Sequence, residues 1–149
     1  MTLMISMTTA SAELGDSPIT KAITQLATTM AVKKREGMVP SSPTLDLTFC
    51  LPGKFDKPQF TGMRMGGYDS TDKTLYFEKA VPDHIVHSQQ APEFVALVLQ
   101  DMLDAAQDYF QAERFDNAPV TFDVLRWQWL VNQVGDILKN LAAPNLASA

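Results

Sequence analysis

Hydrophobic residues recur at intervals of three and four in the N-terminal part of the chain, a spacing that is typical of an amphipathic helix. Ser17-Pro18 precedes this row; serine can cap free backbone amides, and proline suits the first helical position. Three basic residues end the row before Gly37, where they complement the helix dipole. The pattern predicts a helix with a buried stripe of Ile19, Ala22, Ile23, Leu26, Ala27 and Met30.

After the linker of residues 40–43 the period changes to two, as in a strand with one buried face, over residues 45–51. Two further strands are predicted at residues 60–68 and 74–81, joined by a polar turn. Because the connections are short, we expect an antiparallel sheet. Lys79 interrupts the inward-facing apolar positions, which indicates a bulge or a strand end near it.

The second predicted strand contains three glycines, Gly62, Gly66 and Gly67. Glycine weakens a strand, so its presence needs a structural or functional reason. A bend or bulge is the favoured interpretation, and a recognition surface built around Arg64 is the alternative. The segment does not match a phosphate-binding loop, because no Lys-Ser/Thr pair and no helix start follow it.

Two more helices are predicted in the C-terminal half, one from Pro92 to before Asn117 and one over about residues 123–141. Leu125 and Trp129 lie nearly opposite the main apolar face of the last helix. They either meet a second packed surface or remain exposed. The apolar faces consist of Phe94, Val95, Val98, Met102, Ala105, Tyr109 and Phe110 in the first helix, and of Trp127, Leu130, Val131, Val134, Ile137, Leu138 and Leu141 in the second.

These elements predict an α+β fold with an antiparallel sheet of three or more strands, one helix before it and two helices packed on it from the C-terminal side. We expect one domain over residues 15–143, with flexible tails at residues 1–14 and 144–149. A chain of 149 residues can bury about two thirds of its unfolded surface without disulfides or a structural metal. Its 46% hydrophobic and 19% charged residues are typical of globular proteins.

The net charge of −5 disfavours binding to nucleic acids or acidic membranes and would attract a basic protein at long range. Mild acidity is also common among proteins with no special partner. Cys50 is the single cysteine, so nothing indicates an oxidising compartment. The sequence shows no signal peptide and no apolar stretch of about 20 residues that could span a bilayer. Together these features predict a cytoplasmic protein.

Few residues suggest catalysis or metal binding. Asp83, His84 and His87 could form a metal site or a base with its orienting carboxylate, but no further histidine completes such a site, and solvated side chains are the simpler interpretation. Cys50 lies mid-strand and is best interpreted as filler rather than as a nucleophile. We therefore predict no metal, no cofactor and no catalytic residue.

Three aspartates, Asp101, Asp104 and Asp108, share one face of a predicted helix. Such a row is usually a solvated face, yet its members repel one another slightly, and a partner bearing Lys or Arg would relieve that repulsion. Trp129 is a candidate interface anchor, because tryptophan is enriched at binding hot spots, with burial in the fold as the alternative. With Arg64, these residues form the predicted partner-binding set.

Residues 51–82, LPGKFDKPQFTGMRMGGYDSTDKTLYFEKAVP, resemble the central part of a group of small bacterial proteins. Some members of that group are immunity proteins of polymorphic or contact-dependent toxin systems. The resemblance is carried by Phe60, Gly62-Met63, Gly66-Gly67-Tyr68, Leu75-Tyr76-Phe77 and Ala80-Val81-Pro82, followed by a long helix. It implies no catalytic residues and suggests a protein that binds a cognate toxin.

The leading functional hypothesis is therefore a non-catalytic, protein-binding protein of the immunity type, which occludes a basic toxin domain. A homo-oligomeric structural or accessory protein, including a homodimer, is the first alternative, based on eight methionines and the possible exposure of Leu125 and Trp129. A small hydrolase-like enzyme is the second alternative. It would use Asp83, His84 and His87, or Arg64 with Glu78.

Overall fold

The helix predicted first is present and has the expected ends. The computed structural model describes residues 4–7, 17–40, 43–50, 63–113 and 122–142. The Ser17 Oγ accepts a hydrogen bond from the Thr20 amide at 3.4 Å, and Gly37 has φ +74° beyond the last turn. The elements are β1 (Met4–Met7), α1 (Pro18–Arg35), β2 (Thr44–Cys50), β3 (Met63–Asp69), β4 (Thr74–Ala80), α2 (Asp83–Val86), α3 (Ala91–Glu113) and α4 (Val124–Ala142).

The sheet is mixed, in the order β1-β2-β4-β3. β3 and β4 are antiparallel, as predicted, because the turn of residues 70–73 joins them directly. β2 is parallel to β4, so the prediction of a wholly antiparallel sheet is wrong there. The reason is that β2 pairs with β4 and not with the next strand, and the segment between β2 and β3 is long enough for a crossover. The α+β class itself is confirmed.

β1 lies within residues 1–14, the segment predicted to be a tail, and was not predicted as a strand. Met4 to Met7 pair in parallel with Asp46 to Phe49 of β2. Four residues are too few to show a strand period, and this strand is formed by pairing with residues some forty positions away. The rest of that predicted tail and the predicted tail at residues 144–149 lie outside the described residues.

One face of the sheet is buried against the helices. Tyr68 of β3 packs edge-on against Phe110 of α3, with ring centroids 5.5 Å apart. Lys79 also faces α3, and its Nζ lies 5.7 Å from the centre of the Phe94 ring. This contact explains how a lysine occupies an inward position, and β4 ends one residue later, as predicted. The buried residues of this face are Leu45, Leu47, Phe49, Leu75 and Phe77.

The glycine segment forms a bulge in β3, the strand at one edge of the sheet that the structure describes. The pairing register of β3 with β4 shifts between Met65 and Gly67, and Gly67 has φ +117°. A residue with a side chain rarely adopts that conformation, so the predicted structural bend is confirmed at this position. Gly62, the third glycine of the motif, lies outside the described residues.

The last helix, α4, packs on α3 and on α1. Trp127 is fully buried at this packing layer, and its ring lies nearly parallel to that of Phe122, with centroids 6.4 Å apart. Val134 and Leu138 are buried on the same side, as the helical spacing predicts. The opposite side of α4 therefore faces away from the core, and it carries Leu125 and Trp129.

Candidate protein-binding surface

The outward side of α3 carries an acidic row with one large apolar residue. Asp101, Asp104 and Asp108 are all exposed, and Leu97, one turn before them, is 63% exposed. The sequence of α3 contains no Lys or Arg, and its last turn has no basic residue. Nothing on this helix therefore neutralises the row. Leu97 shares the helical spacing of the aspartates, so its exposure could have been predicted from the sequence.

The outward side of α4 exposes two large apolar side chains. Leu125 is 81% exposed and Trp129 is 43% exposed. The Trp129 ring lies 5.7 Å from the Lys33 Nζ at the end of α1, a distance at which a cation and an aromatic ring attract. The structure thus favours exposure over burial for both residues. Trp129 is thus partly exposed and in contact with the cation of Lys33.

The two outward sides meet at a polar seam between the helices. Gln100 Nε2 donates to Gln128 Oε1 at 3.1 Å, and Gln128 Nε2 donates back to Gln100 Oε1 at 2.7 Å. A methyl group on Gly135 would lie 3.8 Å from the Ala96 Cβ. Positions that advance along α3 thus retreat along α4, so the two helices are antiparallel.

Gln100 also donates to the Asp104 carboxylate at 3.0 Å, which connects the acidic row to this seam. We call the combined region the helix-pair surface. It consists of Leu97, Asp101, Asp104, Asp108, Leu125 and Trp129.

Arg64 lies elsewhere. It projects from β3 on the sheet face opposite the buried one, and its Nε donates to the Glu78 Oε1 at 2.9 Å. The structure therefore places four of the five predicted partner-binding residues on two neighbouring helices, Asp101, Asp104 and Asp108 on α3 and Trp129 on α4. It places Arg64 on a separate surface, in an exposed ion pair with Glu78.

This second sheet face carries a buried carboxyl that the alternating pattern predicted to face outward. Asp46 is only 5% exposed, and burial together with the nearby Asp72 charge raises its pKa from 3.8 to about 6. Its register partner on β4 is Tyr76, whose hydroxyl donates to the Asp72 carboxylate at 2.5 Å. That hydrogen bond, with smaller contributions from burial and the surrounding carboxylates, raises the pKa of Tyr76 to about 12.

Of the candidate catalytic groups, Arg64 and Glu78 are joined in the exposed ion pair described above. His84 and His87 are exposed on and just after α2. Burial, with a smaller contribution from Glu78, raises the pKa of the Cys50 thiol, which disfavours the reactive thiolate. Across the described parts of the chain, no three His, Cys, Asp or Glu side chains are placed to hold a metal ion.

No family model, curated protein or solved structure matches this chain. None of the helices in the described ranges is both long and apolar enough to cross a membrane.

Proposed function

We propose that this protein acts by binding a basic protein partner in a fixed stoichiometry through the helix-pair surface. The observation that carries the proposal is the exposure of Leu125 and Trp129 on α4, which packs against α3, while the acidic row on α3 has no basic counterpart on its own helix. The resemblance of residues 51–82 to immunity-type proteins supports a narrower proposal, in which the partner is a toxin domain and the bound protein occludes its active site.

The charges of the acidic row repel one another along α3, and the one helix hydrogen bond to it, from Gln100 to Asp104, does not neutralise them. Asp101, Asp104 and Asp108 are spaced so that neighbouring charges repel, at a cost of a few tenths of a kcal/mol per pair. Asp108 also lies near the C-terminal end of α3, where the helix dipole disfavours negative charge. A basic surface laid along α3 would relieve both effects, and it would be drawn to the row at long range.

The apolar residues supply the part of the interface that excludes water. Trp129 has only two rotatable side-chain bonds and contacts Lys33, so ordering it on binding would cost less conformational entropy than ordering a long flexible side chain. Leu97 and Leu125 flank the glutamine seam on the two helices. An interface with an aromatic anchor and surrounding carboxylates fits a partner with a cationic rim around an apolar pocket.

The same exposed apolar residues favour a second candidate, self-association into a homodimer. Light scattering of the purified protein separates the two. A monomer in the absence of other proteins supports the proposed function, whereas a stable dimer that Trp129→Ala dissociates supports self-association.

The direct test uses two variants of the full chain, the triple variant Asp101→Asn/Asp104→Asn/Asp108→Asn and Trp129→Ala. Asp83→Asn is the matched control, since Asp83 is exposed and lies outside the helix-pair surface. Each immobilised protein is used for affinity capture from an extract of the source cells, and captured proteins are then purified and titrated against each variant.

We expect a basic protein that wild type and Asp83→Asn bind equally. Trp129→Ala should weaken its binding by about 30-fold, the usual loss at a hot spot of about 2 kcal/mol. The triple variant should slow association and remove most of its salt dependence. A partner that binds both surface variants as tightly as wild type, or a captured set without a basic protein, would contradict the proposal.

A further inference from the structure

The turn of residues 70–73, which joins β3 to β4, is tied to the start of β2 by several hydrogen bonds. The Thr44 amide donates to the Lys73 carbonyl at 2.9 Å. The hydroxyl groups of Thr44 and Thr74 lie 2.7 Å apart. Lys73 has φ +58°, a conformation that residues with a side chain adopt rarely. The turn is therefore held in place by its contacts with the neighbouring strands.

Asp72 is the central residue of these contacts. One of its carboxylate oxygens accepts from the Thr74 amide at 3.1 Å, and the other accepts from the Tyr76 hydroxyl at 2.5 Å. Both bonds fix the carboxylate over the sheet face on which Asp46 lies. Each oxygen retains a free lone pair for a further donor.

Asp46 lies beside Tyr76, to which this carboxylate is bonded, and its charge is affected by that of Asp72. Its side chain is nearly buried, and it makes no hydrogen bond or ion pair with any other residue that the structure describes. The ionisable groups around it are Asp72 from the turn, Tyr76 from β4, and Asp69, which acts on Tyr76 from the end of β3. Residues 4–7 of β1 contain no ionisable side chain. Lys73 of the turn and the Arg64–Glu78 ion pair also belong to this side of the sheet, but among the described residues the charge that acts on Asp46 is that of Asp72, which is negative.

We propose that the turn of residues 70–73 is a proton-sensitive latch, which closes on β2 when Asp46 is protonated and loosens when Asp46 ionises. Protonated Asp46 can donate a hydrogen bond to the Asp72 carboxylate and add one more tie between β2 and the turn. Ionised Asp46 repels Asp72 instead, and the repulsion acts on the residue that holds the turn in place. The latch lies on the opposite side of the sheet from the helices, so it is independent of the helix-pair surface.

The test follows the turn by NMR from about pH 7.5 to about pH 5, which brackets the Asp46 pKa of about 6. Two readouts are needed: the Asp46 carboxyl resonance, which reports its protonation, and hydrogen exchange of the Thr71 and Thr74 amides, which donate to Asp69 and Asp72. The variants are Asp46→Asn and Asp72→Asn, and Asp136→Asn serves as an exposed control.

In the wild type we expect the protection of both amides, corrected for the intrinsic pH dependence of exchange, to rise several-fold as Asp46 gains its proton. Asp46→Asn should abolish this transition, Asp72→Asn should shift the Asp46 midpoint to lower pH, and Asp136→Asn should change neither. An Asp46 that titrates near 3.8 would overturn the proposal. The proposal would also be overturned if Asp46 titrates near 6 but the protection of the Thr71 and Thr74 amides does not change with its protonation.

Discussion

Asp46 is buried, although the alternating sequence of β2 places it on the polar face of the strand. Alternation assigns it to the polar face of β2, together with Thr44 and Thr48, and that assignment is right. Yet Asp46 is almost inaccessible to water, whereas Thr48 two residues on is half-exposed. Burial depends on what lies over each position of the face, and a single strand's sequence carries no information on that.

Replacing Asp46 by Asn should stabilise the protein at neutral pH. Burial raises the pKa of Asp46, so the folded state binds a proton more readily than the unfolded state between pH 3.8 and about 6. Stability therefore falls as the pH rises through that window, and above it the ionised carboxyl costs at most about 3 kcal/mol. Asp46→Asn removes this cost, so its advantage is complete above about pH 6 and vanishes near pH 3.8.

Urea denaturation at several pH values measures this difference in the free energy of unfolding. Asp136→Asn, an exposed aspartate on α4, provides the control and should remain within about 0.5 kcal/mol of wild type throughout. An Asp46→Asn protein that is less stable than wild type at neutral pH would show that the carboxylate has a stabilising partner.

Adjacent glycines in β3 should respond differently to the same substitution. Gly67 has φ +117°, so Gly67→Ala forces a side chain into a rarely populated backbone conformation at a cost of about 1–3 kcal/mol. A Cβ on Gly66 would lie 3.5 Å from the Tyr76 Cβ, which is an ordinary contact. Gly66→Ala should therefore cost clearly less. Thermal unfolding of the two variants compares them directly, and equal losses would argue against a conformational role for Gly67.

At the scale of elements, the helices were predictable because their determinants are local. Ser17, Pro18 and Gly37 mark the ends of α1, and apolar spacing alone identifies the buried sides of α3 and α4. The single turn of α2, Asp83–Val86, was not predicted, because four residues give no helical period. β1 was not predicted either, because its four residues are too few to show the period of a strand.

The N-terminal cap of α1 can be tested by a matched pair of variants. Ser17→Ala removes the acceptor of the Thr20 amide and should cost about 1 kcal/mol. Ser17→Asp keeps an acceptor at the same position and should retain most of the stability. Denaturation of the two proteins gives the comparison, and equal losses would show that the Ser17 hydroxyl stabilises the helix by something other than capping.

At the scale of the whole molecule, the strand order could not be derived from the strands themselves. β2 and β4 have the alternating pattern of strands with one buried face, and that pattern is compatible with either direction of pairing. The strand order is decided by the path of the chain that connects β2 to β4. In the same way, the sequence identified the acidic row and Trp129 but gave no reason to separate Arg64 from them, since that separation depends on which sheet face the helices cover.

β1 has a consequence for self-association. It covers the outer edge of β2, and without it the backbone amides and carbonyls of that edge would be free to pair with another chain. Deleting residues 1–7 should therefore leave α1 and the helical layer in place but turn β2 into a docking template. We expect the shortened protein to form oligomers or aggregates that light scattering detects, at concentrations where the full chain does not. A shortened protein as dispersed as the full chain would show that this edge is protected without β1. Four residues would thus protect the full chain from fibrous or amorphous precipitation.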